Sequence, residues 1–227
     1  VMSLEFFTDG EQKKYGNAPV VTYEGGAFSL APRFKKALAS KGDFAAHMRD
    51  VIETGLYLSR HRYDWSKQIE IGKRYSRKDV CWLFDWMSNQ QGTMYGYKVD
   101  GPSQTCPIFI TYHKNDDIDA SIKYQDEFLN PSTVKWFTRS RRTLTSPEVQ
   151  AIVGNTVPLH VFAKKDDAEG IDFFYLGQAH ASDAEQARMP GADGTSLDVV
   201  TMKLNMDVPI ETALYEYLVT NAVKSIG

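Results

Sequence analysis

Three arginines surround one serine in the run Arg139-Ser140-Arg141-Arg142, directly after the aromatic pair Trp136-Phe137. A guanidinium makes forked hydrogen bonds to phosphate oxygens, and an aromatic ring beside it can stack on a base. Ser140 adds a hydroxyl. The chain holds 26 basic and 29 acidic residues, a formal charge of -3, so this basic run is local rather than compositional. Its competing reading is a solvated turn whose arginines pair with neighbouring carboxylates. A second basic group, Arg74, Arg77 and Lys78, surrounds the expected start of a helix, where free backbone N–H groups attract anions. Two such groups in separate segments can clamp the phosphates of a duplex.

Several chemistries lack their residues. The sequence contains no G-x-x-x-x-G-K-[ST], no H-E-x-x-H and no G-x-S-x-G. No histidine has a lysine two positions later, so the H-x-K pattern of phospholipase-D-like nucleases is missing. Cys81 and Cys106 stand apart from each other, which disfavours zinc and suits a reduced, cytoplasmic setting. Neither a metal nor another cofactor is expected. No apolar stretch is long enough for a membrane span, and the first residues lack a signal-peptide layout.

The elements that must position these residues are read from periodicity. Residues 1–30 are polar and weakly patterned, with loop signals at Gly25-Gly26, and read as a flexible arm. A short helix near 31–39 precedes a longer one in which Phe44, Met48, Val51, Ile52 and Leu56 recur at helical spacing. Ser76 and Asp79 form a capping-box-like start for a helix carrying Val80, Leu83, Phe84 and Met87, with Trp82 and Trp86 on its flank. Residues 31–90 thus read as a helical unit. From 91 to 227 the pattern turns β-rich, with strands expected at 94–99, 107–112, 121–124 and 199–204. Leu159–Ala163 and Ile171–Leu176 read as a hairpin around Asp166–Gly170. Residues 131–136 read as a short helix or turn, 146–153 as a helix, 182–196 as a loop, and 209–219 as a terminal helix. The class is α+β: helices first, then a curled, mostly antiparallel sheet or barrel.

Five segments occur in order: Lys73–Cys81, Thr93–Tyr97, Cys106–Lys114, Trp136–Thr143 and Asp172–Gly177. Together they resemble the C-terminal domain of bacterial proteins that fuse a phospholipase-D-like nuclease to a superfamily II helicase. The SauUSI-type modification-dependent (type IV) restriction enzymes are its best-known members. The likeness runs from about residue 43 to residue 219. It implies a recognition module of the SET-and-RING-associated (PUA-like) fold, binding double-stranded DNA that carries 5-methyl- or 5-hydroxymethylcytosine. Because the nuclease and helicase motifs are missing here, such a chain is expected neither to cleave DNA nor to hydrolyse ATP. The helicase and nuclease domains would be its partners, and the helical part, residues 31–90, the coupler that joins the reader to them.

A reader of a modified base touches it in the major groove or flips it into a pocket. A pocket needs aromatic walls and an acceptor for the cytosine amine. The candidate walls are Tyr95, Tyr97, Tyr112 and Trp136; the candidate acceptors are Asp126 and Glu127. Tyr95 and Tyr97, two apart on an expected strand, should share one face. The alternative function is protein–protein coupling or dimerisation through the apolar faces of the helices, docking the chain onto a helicase–nuclease.

Overall fold

A computed structural model describes residues 1–40, 42–62, 67–113, 126–191 and 194–220. They fall into two compact units, Val1–Gln68 with Met87–Asn89, and Ile69–Trp86 with Gln90–Gly227. Among the described residues no helix is long and apolar enough to cross a membrane.

The first unit is built from short elements. Helix α1 (Asp9–Lys14) is started by a Thr8/Glu11 capping box. Strands β1 (Val21–Glu24) and β2 (Ala27–Leu30) form a hairpin turned by Gly25 and Gly26, both at positive φ as a two-residue turn of this hand requires. The loop expected around the two glycines is therefore confined to that turn. Helices α2 (Pro32–Leu38) and α3 (Phe44–Arg62) follow. The apolar recurrence that marked α3 does not lie in a core, since Phe44, Val51, Ile52 and Leu56 are all exposed.

The second unit is a curled sheet with helices on its flanks. Its strands are β3 (Arg74–Ser76), β4 (Cys106–His113), β5 (Glu127–Asn130), β6 (Thr133–Phe137), β7 (Leu159–Asp166), β8 (Asp172–Pro190) and β9 (Ser196–Met206). Their order is β4-β7-β8-β9-β6-β5, with β3 added to β8. Only β4 and β7 pair in parallel among the described strands. The curl has a local cause. Opposite Val161 and Phe162 of β7, strand β8 supplies Gly177 and Tyr175, so Leu176 is inserted as a bulge. Gly177 takes φ 118°, and a Cβ there would meet the Ile71 side chain at 3.3 Å. The sheet's concave side is filled by residues including Ile108, Ile110, Trp136, Val161, Met202 and Leu204, with Val149 and Ile152 of helix α5 (Pro147–Val153) and Leu218 of helix α6 (Thr212–Val219).

Helix α4 (Arg77–Leu83) starts as its sequence predicts: the Ser76 hydroxyl accepts from the Asp79 N–H, and the Asp79 carboxylate accepts from Ser76. It ends sooner than expected, at Leu83, so the four-residue spacing of Trp82 and Trp86 no longer places them together. Trp86 is buried and donates to Thr105 at 3.0 Å, whereas Trp82 is exposed. Three further expectations are corrected. Residues 133–137 are a strand, not a helix or turn, because β9 pairs with them from Thr133 to Phe137. Residues 182–190 are strand, not loop: they pair with Ser196–Met206, which contains the strand expected at 199–204, in one ribbon whose ladder runs out to Pro190 and Ser196. Residues 94–99 are not a regular strand; they touch β4 through a single bridge, Tyr97 to Ile108. The strand expected at 121–124 lies outside the described residues.

Candidate functional site

The strand ends of the second unit surround a cavity of about 390 Å³. Tyr97 and Trp136 form one wall, edge to face with ring centroids 5.0 Å apart. Both are nearly fully buried. Tyr95 stands at the cavity too, yet it is 67% exposed. The two tyrosines therefore do not behave as alternate residues of a strand. Gly96 between them takes φ 81° and breaks the two-residue period. The Phe109 N–H donates to the Gly96 carbonyl at 2.6 Å, which ties this kink to β4.

Asp126 and Phe137 line the cavity at the entry to β5 and the end of β6. Asp126 Oδ1 accepts from the Phe137 N–H at 3.1 Å. Beyond Phe137 the chain stays paired to β9 for one more residue: Thr138 is buried, and its N–H and hydroxyl both bond to Val200. Arg139 and Ser140 then pass along the cavity rim. Arg141 is exposed at φ 62°, a left-handed turn that sends Arg142 back to pair with Asp198 through its N–H. Gln186 of the ribbon fastens this turn, accepting from the Leu144 N–H and donating to the carbonyls of Arg142 and Val199.

Two arginines of the run are already engaged. Arg139 Nη2 meets Glu148 Oε1 at 2.7 Å, and Arg142 Nε bonds to the same oxygen. The Tyr97 hydroxyl donates to it at 3.2 Å, and the Arg139 guanidinium lies 5.5 Å from the Tyr97 ring centre. Burial pushes the Glu148 carboxyl up, but the two arginines outweigh that and hold it below the usual carboxylate range. Burial, then the nearby Glu148 charge, raises the Tyr97 hydroxyl, so it stays a neutral donor.

The second basic group divides. Arg77, from the first turn of α4, lines the cavity, with its guanidinium 5.1 Å from the Phe109 ring centre and 4.9 Å from that of Phe173. Arg74 is exposed, lies over Phe174 and donates to the carbonyls of Glu169 and Asp172; Lys78 is half-buried, and neither lines the cavity. Tyr112 and Glu127 are also outside the lining. Tyr112 packs on Phe128 at 5.0 Å, and Glu127 is exposed on β5 opposite Lys135. Sequence reasoning did not single out Phe109, Thr111 or Met189, which complete the cavity, nor Glu148, which organises its rim. Glu148 carried a weak signal as an acid directly after Pro147 in the first turn of a helix that follows a basic run. Among the described residues no cluster of histidine, cysteine or carboxylate side chains could hold a metal ion.

Residues 69–218 match the model of a family described as a domain of unknown function, DUF3427, and residues 1–64 match another so described, DUF8090. No curated protein matches the chain. Similar solved structures include the DNA modification-dependent restriction endonuclease AspBHI, with 12% identity and a TM-score of 0.45 over 67% of this chain and 45% of that one. KRYPTONITE in complex with mCHH DNA gives 16% identity and a TM-score of 0.40 over 84% of this chain and 41% of that one. The sulfur-binding and SRA domains of ScoMcrA, complexed with phosphorothioated DNA, give 10% identity and a TM-score of 0.41 over 88% of this chain and 69% of that one. The chain thus spans less than half of the first two.

Proposed function

The chain belongs to the DUF3427 family, and we propose that it is a recognition module for duplex DNA carrying modified cytosine. The observation that carries this reading is the cavity of about 390 Å³, which gathers stacking faces, one carboxylate and two arginines on the rim of a rigid sheet. That volume and mixture suit a small planar ligand with a few polar edges. The exposed Tyr95 stacks on the base, and the buried Tyr97 and Trp136 form the wall beside it. Asp126 accepts from the exocyclic amine, which distinguishes cytosine from thymine. Arg139, Ser140 and the exposed Arg141 meet the phosphates beside the extruded nucleotide. Extrusion costs about a few kcal/mol of stacking, which these contacts must return. Cutting and translocation belong to nuclease and helicase partners, as in the enzymes the sequence resembles.

Fluorescence-anisotropy titration of the 227-residue chain with matched duplexes, unmodified, 5-methyl and 5-hydroxymethyl, tests this. Modified duplexes bind more tightly, and Tyr95→Ala erases the difference while leaving salt-dependent binding intact. Equal affinity for all three at every salt concentration refutes the reading. Incubation with modified DNA, Mg²⁺ and ATP should give neither cleavage nor phosphate release.

A second reading rests on α3, whose Phe44, Val51, Ile52 and Leu56 form an exposed apolar stripe. It makes the first unit a coupling or dimerisation surface. A concentration-dependent dimer with no measurable DNA affinity would favour it over the first reading.

A further inference from the structure

Among the described residues, two side-chain donors at the cavity lack a hydrogen-bond partner. The Nε atoms of Arg77 and Arg139 are buried without any hydrogen bond, and both side chains line the cavity. A buried donor left unpaired is costly, so a built site that keeps two of them is suited to a ligand that supplies acceptors. The two arginines differ in charge balance. Arg139 pairs with Glu148, whose single charge it shares with Arg142. Arg77 makes no ion pair among the described residues and sits between Phe109 and Phe173 instead. Ring faces favour a cation but do not accept its N–H bonds as an oxygen does. Burial weakens Arg77's hold on its proton, yet a guanidinium stays charged. The result is a partly desolvated positive charge that the Asp167 carboxylate supports electrostatically without an ion pair among the described residues.

Cytosine and 5-methylcytosine offer that charge only the neutral acceptors O2 and N3, and a methyl group adds none, whereas an anionic acceptor makes the stronger, charge-assisted bond. Resting on the recognition role proposed above, we infer that the cavity prefers cytosine whose 5-substituent bears an oxygen acceptor, an anionic 5-carboxyl above all, with Arg77 as its receptor. Asp126, the only carboxylate among the lining residues described, is committed in part to the Phe137 N–H and serves the amine edge. The oxyanion could equally come from a backbone phosphate. Every duplex carries phosphate, however, so that contact would raise affinity without discriminating between duplexes.

Competition titrations of the full chain against four matched duplexes, unmodified, 5-methyl, 5-hydroxymethyl and 5-carboxyl, separate these sources. The wild type should bind 5-carboxyl at least about tenfold more tightly than 5-methyl, as a charge-assisted contact implies, with 5-hydroxymethyl between them. Arg77→Gln should collapse that order onto the 5-methyl value, with thermal unfolding to show that the variant folds. The wild-type ranking needs no variant. A 5-carboxyl duplex bound no better than 5-methyl, while both exceed the unmodified one, overturns the inference and leaves the recognition role standing. Failure to tell any modified duplex from the unmodified one overturns both. An equal loss for all four duplexes in Arg77→Gln assigns Arg77 to phosphate and likewise overturns the inference.

Discussion

Arg139 and Arg142 share one carboxylate, whereas Arg77 rests on two phenyl rings with no ion pair among the described residues. The first pair belongs to a dense basic run, Arg139–Arg142, the second to an ordinary helix start. Density along the sequence is thus a poor guide to where positive charge remains available. Glu148, on a different element, sets the answer for the run. The pairing also changes what the run can do: Arg139 and Arg142 are held in place as a rim, and Arg141 is the member turned outward to solvent.

The largest effect is expected at the wall beside both regions. Trp136 is 2% exposed and packs edge-on to Tyr97. Trp136→Ala should cost about 3–5 kcal/mol in urea unfolding and remove base discrimination with it.

A buried histidine sharpens the contrast between basic groups. His160 is packed against Phe84 and hydrogen-bonded to the Tyr175 hydroxyl at 3.0 Å, and burial lowers its pKa to about 4 from 6.5. It gives up its proton where Arg77 cannot. Because the unfolded chain binds a proton that the fold refuses, this contribution is intact above pH 6.5 and is lost as pH falls towards 4. Stability should fall by up to about 3 kcal/mol across that window, and His160→Gln should flatten the dependence in pH-resolved denaturation.

Releasing the paired arginines is a smaller change. Glu148→Gln leaves Arg139 and Arg142 partly solvated, so the cost in unfolding free energy should be about 1 kcal/mol after screening. DNA binding should strengthen for every duplex alike, with the slope of log K against log salt steepened by about 1–2. The smallest effect belongs to Arg141. Arg141→Gly keeps the left-handed turn, so stability should stay within about 0.5 kcal/mol while the salt slope becomes shallower by about 0.9.

These residues also show what the sequence could reveal. The α4 start was legible because capping is local, its two partners three residues apart. The β7–β8 hairpin was legible from two β-rich runs around Gly170, and the structure pairs them antiparallel. The outer ribbon was not legible, because residues 182–190 are small or polar and their strand is held by the backbone ladder rather than by burial. The period-two reading of Tyr95 and Tyr97 failed at one glycine whose positive φ no pattern announces. Aromatic and basic residue types marked several groups that the structure brings to one cavity, but Tyr112 and Glu127, equally plausible by type, lie elsewhere. Phe109 and Thr111 looked like any strand residues and Met189 like part of a loop, and only the fold of the sheet makes them neighbours.

The central claim is that a modified cytosine leaves the duplex and enters the aromatic cavity. A duplex carrying one ¹³C-labelled 5-methyl group, followed by NMR as the chain is added, tests it directly. Entry should move the methyl resonance away from its free-duplex position through the ring currents of Tyr95, Tyr97 and Trp136 and produce cross-relaxation to their protons. A methyl signal that keeps its free-duplex position when the DNA is saturated with protein would contradict the account.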